Sequence, residues 1–476
     1  MGLTATGAGT MPAPMSTSRP FDPRAYQRFR LTRLDWDDAA RTARLGYELL
    51  PSGTADRLAF EEVVSFEEPP GGWEEPADGP GLARALTHLH VAAGTSYYKV
   101  AAPPVVEVPT ALSAEARQVH HHLYDDGLRE FAVTNGLPVP RPVRIDAPGS
   151  SGPVAGPGAG PRAGLVVPVG GGKDSMVVVE ALRDLRPRLF AVDPHPLVVE
   201  LAGQAGLELL VAHRRLDPSL AAVNRSGALN GHVPVTAIVS LVALAGAFVF
   251  GYDTVVMSVE RSASEATRTV DGTPVNHQYS KSLDFERLLA SLARTGIHPA
   301  LTYGSALRPY SELAIARAFA GASRYHRTFC SCNTAFRRDE PTGGRWCGSC
   351  PKCRFVALVL APFAGRDVVA GIIGRDLLDD PGEIAGFAEL LSPADKPFEC
   401  VGERRESAAA ITLLAASGDS SAVVRALAGR AAAVAGDDAV ADVLTADRSL
   451  DFPDAAVAEA VARFIDGSAA GPGGRR

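Results

Sequence analysis

Six consecutive residues, Gly170, Gly171, Gly172, Lys173, Asp174 and Ser175, combine the parts needed to hold a chain of phosphates. Glycines let the backbone turn tightly and bring N–H groups against an anion, and a helix that follows adds its positive end. Lys173 and Ser175 contribute side-chain donors. The spacing is neither the Walker loop used for terminal phosphoryl transfer nor the dinucleotide pattern Gly-x-Gly-x-x-Gly. A tight turn in any α/β protein would also use glycine. Here, however, an apolar run at residues 165–169 precedes the loop and an apolar-periodic stretch at 176–185 follows it, so a strand and a helix flank it.

Cysteine supplies the second chemical signal. Five of the six cysteines, Cys330, Cys332, Cys347, Cys350 and Cys353, fall within one short segment. Such crowding does not suit a disulfide framework spread over a large chain. Thiolates at the Cys-x-x-Cys spacing of Cys347, Cys350 and Cys353 can share one tetrahedral zinc, and four sulfurs complete that site, leaving one over. Reduced core thiols or an iron–sulfur cluster would use the same residues. His120, His121 and His122 look metal-like, but adjacent residues on a helix splay around it, which predicts a solvated face.

The elements that must position these groups can be read from the pattern. Residues 147–163 are dominated by Gly and Pro and read as an interdomain linker. Before it, strands are expected at 26–34 and 43–50 and helices at 81–89 and 114–134, a small α+β module over 21–146. After it, strands at 165–169, 189–192, 207–211 and 254–259 alternate with helical or loop segments, which predicts a doubly wound parallel sheet over 164–363. Residues 364–476 shift to Ala, Asp, Arg and Leu with helical periodicity at 407–416, 421–433 and 455–465, a helical region. Residues 1–20 read as a loose tail without a secretion signal, consistent with a cytoplasmic protein.

Bulk properties exclude other classes. The chain has 476 residues, 46% of them hydrophobic, enough to bury substantial cores. A formal net charge of −7 gives no overall field to attract nucleic acid or an anionic membrane. The longest apolar run, 233–250, is interrupted by Thr236 and Ser240 and is shorter than a membrane span of roughly 20 residues, so it is expected to be a buried helix.

The loop resembles the Ser-Gly-Gly-x-Asp-Ser loop of the PP-loop ATP pyrophosphatase superfamily, with Gly170 in place of the first Ser. That resemblance implies a HUP-type α/β fold. It also implies that the loop holds the β and γ phosphates of ATP as leaving group, that Asp174 positions Mg2+, and that Val192 and Asp193 grip adenine through the main chain. The order Ser-Cys…Cys-Gly-x-Cys-x-x-Cys is similar to the structural zinc site of the deazaguanine-synthesising members, which implies Cys332, Cys347, Cys350 and Cys353 as ligands and leaves Cys330 out. Together with Ser96-Tyr97-Tyr98-Lys99, the run from Val275 to Ser282, Trp346-Cys347 and Lys352-Cys353-Arg354-Phe355, the chain over 26–363 resembles the MurL family. Members of that family are UDP-N-acetylmuramoyl-L-alanyl-L-glutamate epimerases, which supply D-glutamate to peptidoglycan precursors.

Such an epimerase has a chemical reason to use ATP. A free carboxylate beside the α carbon would make deprotonation form a dianion, whereas the mixed anhydride with AMP acidifies the α proton and lets donors stabilise an enolate. Under this reading the proton-transfer candidates are Glu260, in the polar run after the strand at 254–259, then His277, Tyr279 and Lys281 in the next loop, and Cys330, if free of zinc, as a soft base of lowered pKa. Lys99, with Tyr97 and Tyr98 able to stack on uracil or pack in a core edge, and Arg261, Lys281 and Arg354 are the expected partners of the UDP-muramoyl-dipeptide anions. The competing readings are a nucleobase- or tRNA-modifying ligase or thiolase of the same superfamily, which the acidic balance opposes, and a non-catalytic nucleotide-binding module.

Overall fold

The computed structural model describes residues 21–73, 79–149, 162–266, 268–335, 345–392, 401–436 and 439–468. The predicted tail at 1–20 and most of the predicted linker lie outside these residues. The strands are β1 (Tyr26–Asp37), β2 (Thr42–Pro51), β3 (Leu58–Phe66), β4 (Val105–Glu107), β5 (Arg144–Asp146), β6 (Arg162–Pro168), β7 (Arg188–Val192), β8 (Leu209–Arg215), β9 (Tyr252–Met257), β10 (Arg268–Val270), β11 (Thr273–Val275) and β12 (Thr302–Ser305). Ten of them form one sheet in the order β12-β9-β6-β7-β8-β3-β2-β1-β4-β5, and β10 and β11 make a separate ribbon.

The segment β12-β9-β6-β7-β8 is parallel throughout. The chain starts at β6 in the middle, winds outward through β7 and β8, then returns to the far side of β6 for β9 and β12. This is the doubly wound arrangement, and its switch point lies between β6 and β9. Neighbouring residues show the two-faced burial it requires. Val166, Phe190 and Val255 point into one core with the helices Gly79–Ala93 and Val235–Phe250, while Val167, Leu189 and Val256 point into the other with Lys173–Ala181, Glu312–Ala320 and Pro351–Ala364.

The first module does not stand apart from this sheet. β3 pairs antiparallel with β8, and β1, β2 and β3 form a meander that carries the same sheet on to β4 and β5. The sequence reading lacks β3 because Glu61 and Glu62 interrupt its apolar pattern. Glu62 is fully buried and pairs with Arg214 of β8 through bonds of 2.6 and 2.9 Å, so an ion pair stands where an apolar residue was expected. The predicted helix at 114–134 divides into Ala114–Tyr124 and Arg129–Thr134 around a tight turn at Asp126–Leu128, which contains Gly127. The run at 233–250 is the buried helix Val235–Phe250, and no helix among the described residues is long and apolar enough to cross a membrane. Helices Arg404–Ala416, Ala422–Ala435 and Ala455–Gly467 occupy the predicted helical region.

Candidate active site

A cavity of about 440 Å³ opens outside the carboxyl ends of β6, β7 and β9, where ligands of doubly wound sheets bind. Its wall includes Gly170, Gly172, Asp174 and Ser175 from the glycine loop, Phe190 to Val192 at the end of β7, and Met257 to Val259 where β9 ends. Gly171 has a φ of 90°, which an L side chain rarely adopts. Gly172 caps the helix Lys173–Ala181, and a Cβ there would lie 3.2 Å from Ser331 Oγ. Two helix starts face the cavity, since Val235 and Thr236 of the helix Val235–Phe250 also line it. Positive helix ends, with Lys281 and Lys352 among the lining residues, favour an anionic ligand.

Lys173 is not on that wall. Its ammonium is 1% exposed and paired with both Asp174 and Glu312, and Glu312 also meets Lys352 at 3.5 Å. Burial alone would neutralise Lys173, but the two carboxylates outweigh it and push its pKa up. For Glu312, burial pushes the carboxyl up, and Lys173 and Lys352 together bring it well below the usual range. Burial, with Glu312 and Glu260 nearby, lifts Asp174 to about 6 against the pull of Lys173. Asp174, Glu260 and Glu312 offer oxygens within 4.8 Å of one another, an all-oxygen set of the kind that suits Mg2+. Glu406, from the helical region, accepts the backbone N–H of Glu312 at 2.7 Å and holds it from behind.

The cysteine segment is fastened to the phosphate loop. Cys330 N–H donates to the carbonyl of Gly171 at 3.0 Å, and Cys330, Ser331, Asn333 and Lys352 line the cavity. Cys332, Cys347, Cys350 and Cys353 bring their sulfurs within 4.8 Å of one another. Separations of 4.0 Å for Cys332–Cys350, 3.7 Å for Cys347–Cys353 and 3.4 Å for Cys350–Cys353 are far beyond a disulfide. They match the edge of a tetrahedron of sulfurs about 2.3 Å from a central zinc, roughly 3.8 Å. Cys330 stands outside this set and its thiol donates to the carbonyl of Arg345 at 2.6 Å. The expectation of a lowered Cys330 pKa is corrected: burial pushes this thiol up to about 12.

The remaining expected residues fall in several places. Lys281 lines the cavity, and Glu260 joins the carboxylate group. His277 hydrogen-bonds Glu130 through Nδ1, with His232 beside it at 4.7 Å between ring centroids. Tyr279 packs edge-on against Phe285, and burial followed by Asp126 and Asp284 raises its phenol pKa, so it stays protonated. Asp193 takes a left-handed φ of 46°, and its carboxylate faces His213 Nδ1 at 3.0 Å and accepts the N–H of Arg214 at 3.1 Å, while its neighbour Val192 lines the cavity. Tyr97 and Tyr98 are core residues. Tyr97 stacks on Tyr47 at 4.8 Å, and Tyr98 donates to the carbonyl of Pro103 at 2.9 Å. Lys99 bonds Asn230 at 2.5 Å. Arg354 pairs with Glu383 at 2.7 Å, and Arg261 donates its backbone N–H to Tyr310. The solvated histidine face is also corrected, since His120 is buried against His88 at 3.1 Å.

The sequence reading missed Glu312, Lys352, Arg308, Glu130 and His232. Lys352 was visible inside the cysteine motif, but Glu312 had no signal beyond following the helix cap Ser311.

Fold and site define a doubly wound α/β protein with a cavity lined by a glycine loop at its topological switch point, beside a four-thiol cluster. The chain belongs to the MurL family: the MurL N-terminal domain matches residues 20–306 and the MurL C-terminal domain matches residues 328–442. It is 42% identical over 399 residues to the UDP-N-acetyl-alpha-D-muramoyl-L-alanyl-L-glutamate epimerase of Salinispora tropica, covering 82% of this chain and 85% of that one. It is 44% identical over 387 residues to the protein of the same name from a Micromonospora strain, covering 80% and 85%, and 41% identical over 344 residues to that of Xanthomonas oryzae pv. oryzae, covering 71% and 76%. No solved structure matches the chain.

Proposed function

We propose that this chain epimerises the terminal L-glutamate of UDP-N-acetylmuramoyl-L-alanyl-L-glutamate, using ATP to form an acyl-adenylate and releasing AMP and diphosphate. The reading rests on one conjunction. A chain of this family lines one cavity with Gly170, Gly172, Asp174 and Ser175 of the glycine loop and with Lys281 and Lys352, and Asp174 offers an oxygen within 4.8 Å of those of Glu260 and Glu312. The tRNA- or nucleobase-modifying alternative loses its support with the family assignment.

In this reading, the glycine loop and the start of the helix Lys173–Ala181 hold the phosphates, as a PP-loop site would. Asp174, Glu260 and Glu312 would hold Mg2+, which neutralises phosphate charge when bound. A substrate carboxylate oxygen attacks the α phosphorus and diphosphate leaves. The anhydride then loses its α proton to a base, regains a proton on the opposite face, and water cleaves it to the D-glutamyl carboxylate and AMP. Lys281 is the cavity residue we assign to proton transfer at the α carbon. The thiol set Cys332, Cys347, Cys350 and Cys353 would hold a structural zinc that fixes Lys352 and the Cys330–Gly171 bond in place.

The test is incubation with UDP-N-acetylmuramoyl-L-alanyl-L-glutamate, ATP and Mg2+. D-Glutamate after hydrolysis, with AMP and diphosphate in solution, is expected. Unchanged L-glutamate rejects the epimerase reading, and ADP with orthophosphate rejects the adenylate. Lys281→Met should retain substrate-dependent exchange of diphosphate into ATP and lose exchange of the α proton with solvent.

A further inference from the structure

A third convergence of ligating atoms lies beside the cavity. Glu130, in the first turn of the helix Arg129–Thr134, meets His232, from the loop before the helix Val235–Phe250, and His277, from the loop before Lys281. A carboxylate oxygen and one nitrogen from each ring all lie within 4.8 Å of one another. His277 Nδ1 hydrogen-bonds Glu130 Oε2, and His232 Nδ1 faces the same oxygen from 3.8 Å, too far for a hydrogen bond. His232 makes no hydrogen bond to another described residue, so its ring is turned toward this point without being bonded there. Side-chain exposures of 25% for His232, 18% for His277 and 17% for Glu130 leave the point reachable from outside.

Three ligands from three separate segments, two imidazoles and one carboxylate, form the donor set of open transition-metal sites. Lys281 and Lys99 lie close enough to act electrostatically on His232. A bare cation beside two ammonium groups is disfavoured, whereas an ion that brings an anionic oxygen ligand is favoured by them. The residues that follow the two histidines, Val235, Thr236 and Lys281, line the cavity.

We propose that Glu130, His232 and His277 hold a divalent transition-metal ion of the zinc and cobalt class, whose open coordination is completed by an anionic group of the substrate. The identity of that anion rests on the proposed function, but the metal site does not. Neither the four-thiol cluster nor the three-carboxylate group contains histidine. Imidazole scattering in the X-ray absorption of bound Co2+ therefore reports this site separately.

The experiment loads the full chain with zinc at its thiols, removes loose metal, and adds Co2+ with and without UDP-N-acetylmuramoyl-L-alanyl-L-glutamate. The expected result is imidazole scattering from Co2+, tighter uptake when the substrate is present, and at least about tenfold weaker Co2+ affinity in His232→Asn, His277→Asn and the near-isosteric Glu130→Gln. Absence of imidazole scattering in the wild-type protein overturns the proposal whether or not the variants fold. So does Co2+ affinity that is unchanged in folded variants. A chain that epimerises without imidazole-bound metal refutes this site alone, and one that binds Co2+ through imidazole without epimerising refutes the proposed function alone.

Discussion

The ammonium of Lys173 and the carboxylate of Glu312 form an ion pair in which neither side chain is more than 2% exposed, joining the glycine loop to a helix far along the chain. Taking either charge out of water is costly, and the pairing offsets that cost only while both partners are present. Glu312→Leu leaves Lys173 with Asp174 as its sole carboxylate partner and should destabilise the fold by about 3 kcal/mol, the lower end for a broken buried pair. Lys173→Met combined with Glu312→Leu should recover most of it. Urea unfolding of the single and double variants measures the coupling. A loss within the roughly 0.5 kcal/mol of an ordinary surface substitution would show that the pair contributes nothing to the fold.

Acid should destabilise the protein through its buried histidines. Burial lowers His88 and His90 to about 4 and His120 well below its ordinary value of 6.5, with His88 also acting on His120. The unfolded chain takes up protons near 6.5 that the folded chain refuses until near 4. The stability these groups give is therefore complete above about pH 6.5 and is lost as pH falls through the folded pKa. His88 and His90 each contribute up to about 3 kcal/mol at 1.36 kcal/mol per unit. Unfolding midpoints between pH 7 and 4 should fall steadily, and His90→Gln, which keeps a donor for the carbonyl of Gly46, should flatten the slope by one proton. An unaltered slope in that variant contradicts the assignment.

What the sequence made legible was local. Glycines followed by Lys-Asp-Ser announce a turn and helix start because only backbone chemistry is involved, and Val233 to Phe250 announce a buried helix because apolar residues are contiguous. Cys-x-x-Cys spacing announced a thiol cluster but left Cys330 and Cys332 open, and only the resemblance to the deazaguanine-synthesising enzymes implied the set with Cys332. What remained hidden depends on partners far along the chain. Glu62 looks like a surface residue until Arg214 is placed opposite it, and Tyr97 and Tyr98 look like a binding edge until Tyr47 and Tyr124 close over them. Lys173 reads as a phosphate ligand until Glu312 claims its ammonium. In each case a polar or amphipathic residue has two stable fates, and the tertiary partner decides between them.

The thiol geometry predicts which cysteine is dispensable for metal. Cys332 lies within the tetrahedral set, whereas Cys330 donates to Arg345. One zinc per chain is expected by elemental analysis, retained in Cys330→Ser and lost in Cys332→Ser or Cys350→Ser. Since Lys352 lies between Cys350 and Cys353 and lines the cavity, loss of the metal should also weaken ATP binding. Zinc retained by Cys332→Ser but lost by Cys330→Ser would reverse the two assignments.

Arg308 ties the two sides of the site together. Only 2% exposed, its guanidinium donates to the carboxylate of Glu286 at 2.7 Å, to the carbonyl of Glu260 at 2.8 Å and to the carbonyl of Lys281. One planar cation thus fixes the backbone at a carboxylate of the proposed metal set and at the ammonium assigned to proton transfer. A lysine ammonium is a point charge that cannot span three acceptors in a plane. Arg308→Lys should therefore keep the charge balance with Glu286 while releasing Glu260 and Lys281, and displacement of about 1 Å is enough to cost on the order of 10²-fold in rate. The loss should appear in kcat for epimerisation and in α-proton exchange, and in a raised KM for ATP because Glu260 belongs to the proposed Mg2+ set. Wild-type kcat in a folded Arg308→Lys variant would mean that the backbone at Glu260 and Lys281 is held by other contacts.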